Sequence, residues 1–153
     1  MHHQPGISFI VIAATLTLAQ PAPGQRTASY EEAPLNYTAT TTSNRADRLD
    51  RQWQNGKLKN MGKYGLPMLR NLLKEFAIPE SSQTLVFSKT SLLYARISPQ
   101  NPRAIYFSDD AYFGWVPGGI YELTINDPQL GLVFYEIDPH TPYVRRGRDC
   151  LNC

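Results

Sequence analysis

The hydrophobic rhythm of the chain changes three times. Ile7 to Ala19 ("ISFIVIAATLTLA") is an uncharged apolar run of 13 residues. Residues 20–43 ("QPAPGQRTASYEEAPLNYTATTTS") then show no apolar period. From Asn44 to Pro79 apolar residues recur at helical spacing, and beyond Pro79 they gather into short runs between turn formers. In "SNRADRLDRQWQNG", Ala46, Leu49 and Trp53 fall at i, i+3 and i+7 and form one stripe. Asn44 is placed to cap the first turn, Asp47 holds the capping-box position, and Asn55-Gly56 supplies the stop. In "GLPMLRNLLKEFAIP", Pro67 suits a first helical turn, and Leu66, Leu69, Leu72, Leu73 and Phe76 make one face.

After Pro79 the pattern is extended. "TLVFSKTS" is a short strand candidate, and "SPQNPR" reads as a loop. The runs "RAIYFS", "AYFGWV", "YELTI" and "LGLVFYEI" follow, separated by Asp109-Asp110, Pro117-Gly118-Gly119 and Asn126-Asp127-Pro128. Such short gaps leave no room for crossover helices, so neighbouring strands are expected to be antiparallel. The expected fold class is α+β: a small antiparallel β-meander preceded by one or two amphipathic helices, with a disordered leader. Within "AYFGW", Tyr112 and Trp115 are read as sharing one strand face and Phe113 as taking the other; Gly114 is read as allowing a close backbone approach.

The domain boundaries follow from these shifts. Residues 1–19 read as a signal peptide: the 13-residue run Ile7 to Ala19 has the length of its apolar core and is too short for a membrane span, with Thr17 and Ala19 obeying the small-residue rule for cleavage. Residues 20–43 read as a disordered leader, 44–138 as an α+β module, and 139–153 as a connector ending in a Cys pair. Export implies a periplasmic or secreted protein without a stable membrane span once the signal peptide is removed.

The net charge is +2, and residues 1–19 contribute no Lys, Arg, Asp or Glu to it. A balance so small predicts no nucleic-acid binding. Its distribution is two-sided. Asn44 to Glu75 holds eight basic residues against three acidic, whereas Ala104 to Pro139 has six acidic residues and no Lys or Arg. Such halves either steer a charged partner or attract each other within the monomer.

Chemistry concentrates at "RRGRDCLNC", which ends on Cys150-Leu-Asn-Cys153. Spacing alone leaves three uses open: a dithiol/disulfide couple, part of a metal site, or a covalent anchor for haem. In a helix, residues i and i+3 lie on one side, so two such thiols reach one porphyrin edge, and a histidine directly after them ligates the iron. Zinc asks for four ligands, while His140 is the one histidine beyond residues 1–19. A disulfide across so small a loop would stabilise little. Arg145, Arg146 and Arg148 are candidate partners of carboxylates, or a solvated basic loop. His140 is read as an exposed loop histidine rather than an axial ligand. Asn36-Tyr37-Thr38 matches an N-glycosylation acceptor.

The stretches "SSQTLVFSKTS", "RISPQNPRAIYFSDDAYFGWVPGG" and "DPQLGLVFYEID" are similar to the amino-terminal region of a family of exported bacterial cytochrome c domain-containing proteins. The resemblance covers roughly residues 31–153. It implies haem c as cofactor, with Cys150 and Cys153 as the two covalent haem thioethers and a proximal histidine immediately after Cys153. It implies electron transfer through covalent haem, with an unknown redox partner, more than an enzymatic reaction. It also implies a piece of a longer protein, cut inside the attachment site, whose haem-bearing helical part follows. The alternative is a secreted binding or interaction module in which the Cys pair is a dithiol or disulfide.

Overall fold

A computed structural model of the chain describes residues 29–58, 61–138, 140–141 and 143–152. The expected signal peptide, the first part of the expected leader, and Cys153 lie outside these residues.

Helix α1 (Arg45–Gln54) begins where the sequence places it. The Asn44 side-chain oxygen accepts from the Ala46 and Asp47 N–H groups at 3.0 and 3.4 Å, and the Asp47 carboxylate accepts from the Asn44 N–H at 2.9 Å. Three backbone donors at the start of the helix are thus satisfied by the reciprocal pair. Helix α2 (Leu66–Glu75) carries Pro67 in its first turn, where no N–H is needed. Its buried stripe is Met68, Leu69, Leu72 and Leu73, continued by Phe76. Leu66 is half exposed at the first helical position, and Met68 replaces it in the stripe.

The strands are β1 (Thr84–Val86), β2 (Arg103–Phe107), β3 (Ala111–Trp115), β4 (Tyr121–Asp127), β5 (Gly131–Ile137) and β6 (Val144–Arg146). They form one antiparallel sheet in sequential order, so the described residues make a small α+β fold. Alternation along the strands sorts residues between two faces. The inner face presents Ala104, Tyr106, Phe113, Trp115, Tyr121, Leu123, Ile125, Val133, Tyr135 and Ile137, packed into one core with Leu49 of α1 and the stripe of α2. Among these, Phe113 lies 6.0 Å from Phe76 and 6.2 Å from Tyr121, centroid to centroid. No helix of the described residues is long and apolar enough to cross a membrane.

This architecture corrects the expected one in three respects. The leader is not disordered from Ser29 onward. Tyr37 is buried, its hydroxyl accepting from the Phe134 N–H at 3.0 Å and donating to the Gly147 carbonyl at 3.1 Å. Arg146 clamps the same stretch: its guanidinium donates to the carbonyls of Tyr37 (2.6 Å) and Thr40 (2.9 Å) and to the Thr42 hydroxyl (2.7 Å). Second, the connector contains a sixth strand, β6, in which Val144 pairs with Ile137, Arg145 with Glu136 and Arg146 with Tyr135. Third, Phe113 and Trp115 share the inner face while Tyr112 points outward, because strand alternation has a period of two.

A buried polar cluster joins α1, β4, β5 and the ordered leader. The Asn44 amide donates to Asp127 at 3.1 Å and to the Tyr135 hydroxyl at 2.7 Å, while the Thr42 hydroxyl donates to Asp47 at 2.8 Å. Asp127 also accepts the Gln129 and Leu130 N–H groups at 2.9 and 3.2 Å, closing the β4–β5 turn. Burial works against its ionisation, but these donors outweigh it and hold its pKa below the ordinary value of 3.8.

Candidate functional site

The outer face of the sheet is built differently. Register places Ile105, Gly114, Glu122, Glu136 and Arg145 in one row across β2 to β6, and Phe107, Tyr112, Thr124 and Phe134 in the next. Glu122 is charged yet only 7% exposed. Its carboxylate forms an ion pair with the Arg103 guanidinium at 2.6 Å and accepts the Ser91 hydroxyl at 2.9 and 3.0 Å and the Leu92 N–H at 3.0 Å. A buried carboxylate with this many donors is satisfied rather than stranded. The acceptor also latches the segment after β1 onto the outer face, where Leu93 and Ile97 pack on Val116 as a small second core.

Gly114 makes the ion pair possible. Arg103 starts on β2 and reaches β4 by crossing β3 at that glycine. A Cβ there would stand 2.5 Å from the Arg103 terminal nitrogen and 2.8 Å from its Nε, so no side chain fits while Arg103 keeps its course. The close approach expected at this glycine is that of a backbone; the group that makes it is the Arg103 side chain. Its Nε is buried and has no hydrogen-bond partner among the described residues.

Above this floor is a cavity of about 620 Å³. Lys89 to Leu92 wall one side, Gly147, Asp149 and Cys150 the other, with Arg103, Glu122, Thr124, Phe134 and Glu136 beneath. The volume lies within the range of small-molecule and cofactor sites. Cys150 is half-buried in a single helical turn, Asp149–Asn152. The turn leaves β6 through Gly147, whose N–H donates to the Phe134 carbonyl at 2.8 Å, and Leu151 packs against the core. Tyr37 is the prop behind it, bonded to both Phe134 and Gly147. Burial pushes the Tyr37 hydroxyl above its ordinary pKa, keeping it a neutral bridge.

The other sequence candidates fall elsewhere. Arg145 pairs with Glu136, and Arg146 clamps the leader with its guanidinium over the Tyr37 ring, 5.6 Å from the centroid. His140 is exposed, 5.4 Å from the Tyr64 ring, in a separate recess with Asp138 and Gly119. Asp110 pairs with Arg45 at 2.6 Å, so the basic and acidic halves do meet within the monomer. Among the described residues no group of three or more His, Cys, Asp or Glu is placed to hold a metal ion. Lys89, Arg103 and Glu122 were not singled out by sequence reasoning. The available signal was a glycine in mid-strand with a charged residue on each neighbouring strand.

Comparison with protein-family models, with curated proteins and with solved structures gives no match. The residues themselves must carry the reading. Measured against a covalently attached tetrapyrrole, the site supplies a thiol on a helical turn and an apolar wall in Phe134 and Leu92. These suit the attachment and enclosure of such a group. An iron ligand is not among them, since His140 lies in a separate recess.

Proposed function

We propose that this chain is the sheet module of an exported c-type cytochrome, with Cys150 and Cys153 as the thioether attachment points. The iron ligands come from outside the described residues, beginning with a histidine directly after Cys153. The observation that carries this reading is Cys150, first thiol of a Cys-x-x-Cys pair, on a helical turn at the rim of the 620 Å³ cavity. A second support is convergence. The three stretches that resemble cytochrome c domain-containing proteins each contribute to the cavity: Lys89 to Ser91 from the first, Arg103 from the second, and Phe134 to Glu136 from the third.

When bound, haem supplies one-electron transfer at its iron. The chain's contribution is to fix the group covalently, shield it from water on one side and set its electrostatic surroundings. Tyr37, Arg146 and the β5–β6 ladder hold the Cys150 turn against the sheet. The proposed compartment is the periplasm or the exterior, and the partner is a redox protein.

The test uses the full-length protein produced with haem-attachment machinery, as wild type and with Cys150→Ser, Cys153→Ser or both. Single variants are expected to keep one thioether and shift the absorbance bands to longer wavelength, because one vinyl group stays conjugated. The double variant is expected to lose haem on denaturation. Absence of covalent haem from the wild type overturns the reading.

One observation favours a second reading, a binding module. Phe107 and Tyr112 are 43% and 47% exposed and stack with centroids 6.4 Å apart. Under that reading, Phe107→Ala with Tyr112→Ala abolishes capture of a carbohydrate or protein ligand and the Cys pair is a disulfide; under the first, haem content is untouched.

A further inference from the structure

The two edges of the sheet are finished differently. Edge β6 is closed: the Val144 N–H donates to Asp50 of α1 at 2.8 Å, Arg146 is bound to the ordered leader, and the strand carries two arginines. Edge β1, Thr84-Leu85-Val86, has neither charge nor proline, the usual guards of an open edge. The direction of its backbone groups follows from β2. There the Phe107 N–H turns toward the β1 side and donates to Ser82 Oγ at 2.9 Å, whereas the Ser108 N–H turns toward β3 and donates to the Ala111 carbonyl at 2.9 Å. Successive residues alternate in this direction, so Arg103 and Ile105 face β1, and their partners Val86 and Thr84 face back. Leu85 therefore turns its N–H and C=O to the open side, and alternation carries this on to Phe87. The side chains of Gln83, Leu85 and Phe87 fall on the helix side, where Gln83 donates to the Tyr106 hydroxyl at 2.6 Å and Leu85 stands opposite Ala104. Leu85 and Phe87 are 51% and 57% exposed. Between α2 and the start of β1, Leu66, Leu69, Leu73, Gln83 and Tyr106 line a recess of about 180 Å³. That is below the roughly 300–1,000 Å³ of small-molecule sites and suits a single side chain.

We propose that β1 is a dimerisation edge, joined antiparallel to β1 of a second copy across a twofold axis at Leu85. In that register Leu85 faces Leu85 of the copy, and Gln83 faces Phe87, since the two lie two residues to either side of the axis. The outward backbone groups then meet. The two Leu85 residues exchange N–H···O=C bonds, and each Phe87 N–H finds a Gln83 carbonyl, while the Gln83 N–H stays with the Glu80 carbonyl at 3.3 Å. Residues directly opposite each other point to one face, so the two Leu85 side chains cover each other and each Phe87 comes to the recess beside Gln83 of the other copy. Knob and hole lie on one chain at positions that the symmetry exchanges, as an isologous contact requires. A strand from another protein would have to bring its own aromatic at that spacing; a second copy already carries it. From Thr84 to Phe87 there is no charge to repel its twin. The axis runs perpendicular to the sheet, so two six-stranded sheets join as one and both 620 Å³ cavities open on the same side. This contact is independent of haem.

The experiment is sedimentation velocity over a concentration series on the full-length protein, as wild type, Phe87→Asp, Leu85→Pro and Tyr112→Ala, with hydrogen exchange read at low and high concentration. Wild type is expected to pass from monomer to dimer. The Leu85 and Phe87 amides should be protected only in the dimer, and those of Thr84 and Val86 in both states. Phe87→Asp and Leu85→Pro should each weaken association by about tenfold or more, with an unchanged circular dichroism spectrum. Proline suits this purpose because the N–H it removes points away from β2. Tyr112→Ala, on the outer face, should leave the dissociation constant in place. If Leu85→Pro unfolds, Phe87→Asp at its exposed position carries the test. A wild type that stays monomeric at every concentration, including one that captures a strand of another protein instead, overturns the inference. So does a dimer that Phe87→Asp leaves intact, or one in which the Leu85 amide stays open to exchange.

Discussion

The two faces of the sheet are made from alternate residues of the same strands, yet they solve opposite problems. The inner face meets α1 and α2 with side chains that are almost wholly apolar and fully covered, Phe113, Tyr121, Leu123 and Ile137 among them. The outer face carries a buried ion pair, a glycine in mid-strand, exposed aromatics and a cavity. Strand alternation therefore separates stability from chemistry residue by residue. The inner face can be read as what holds the chain together, and the outer as what it was built to present.

The sharpest way to break this contrast is to cut adjacent residues of β3. Phe113→Ala removes a fully buried ring and is expected to cost about 3–5 kcal/mol in chemical denaturation. Tyr112→Ala, one residue away but facing out, should cost less than about 1 kcal/mol. Comparable losses at the two positions would erase the distinction between the faces. Next in size is Glu122→Gln, which leaves Arg103 buried beside a neutral partner. A loss of about 2–3 kcal/mol is expected, with faster hydrogen exchange at the Leu92 amide as its latch weakens.

Gly114→Ala tests the same ion pair by steric means. The new methyl group must displace Arg103, with an expected cost of about 1–2 kcal/mol. In combination with Arg103→Ala the clash disappears, so the two effects should be non-additive in a double-mutant cycle. A further effect is a pH dependence confined to the inner face. Burial raises the Tyr121 hydroxyl to about 12, against an ordinary value of 10, although the Gly65 backbone N–H partly offsets it. The folded state thus holds its proton longer than the unfolded state. Stability from this group is complete below pH 10 and declines as pH rises from there through 12. Tyr121→Phe should flatten that slope in denaturation midpoints measured across the range.

Local signals were the legible part of this molecule. Asn44 with Asp47 and the start of α2 at Pro67 are decided within a few residues, and the sequence states them directly. Strands β2 to β5 announce themselves as apolar runs between Gly, Pro, Asn and Asp. What escaped was decided at long range. Tyr37 stands alone among Thr and Ala, and its burial depends on partners at Phe134 and Gly147, about a hundred residues away. Strand β6 is three residues with two arginines, a poor strand by propensity, held by Ile137 against Val144 and Glu136 against Arg145. Of the site, Cys150 was visible as half of a motif. Lys89, Arg103 and Glu122 were not, because only the sheet register brings a β2 arginine and a β4 glutamate beneath the segment after β1.

The central claim is that the sulfur at the cavity rim belongs to a covalent tetrapyrrole site. Mass spectrometry of the peptide spanning Cys150 and Cys153, taken from the natural protein, tests this most directly. A single peptide carrying both sulfurs and the added mass of one haem is the result the account predicts. The same peptide with its sulfurs unmodified, or joined to each other, would contradict it.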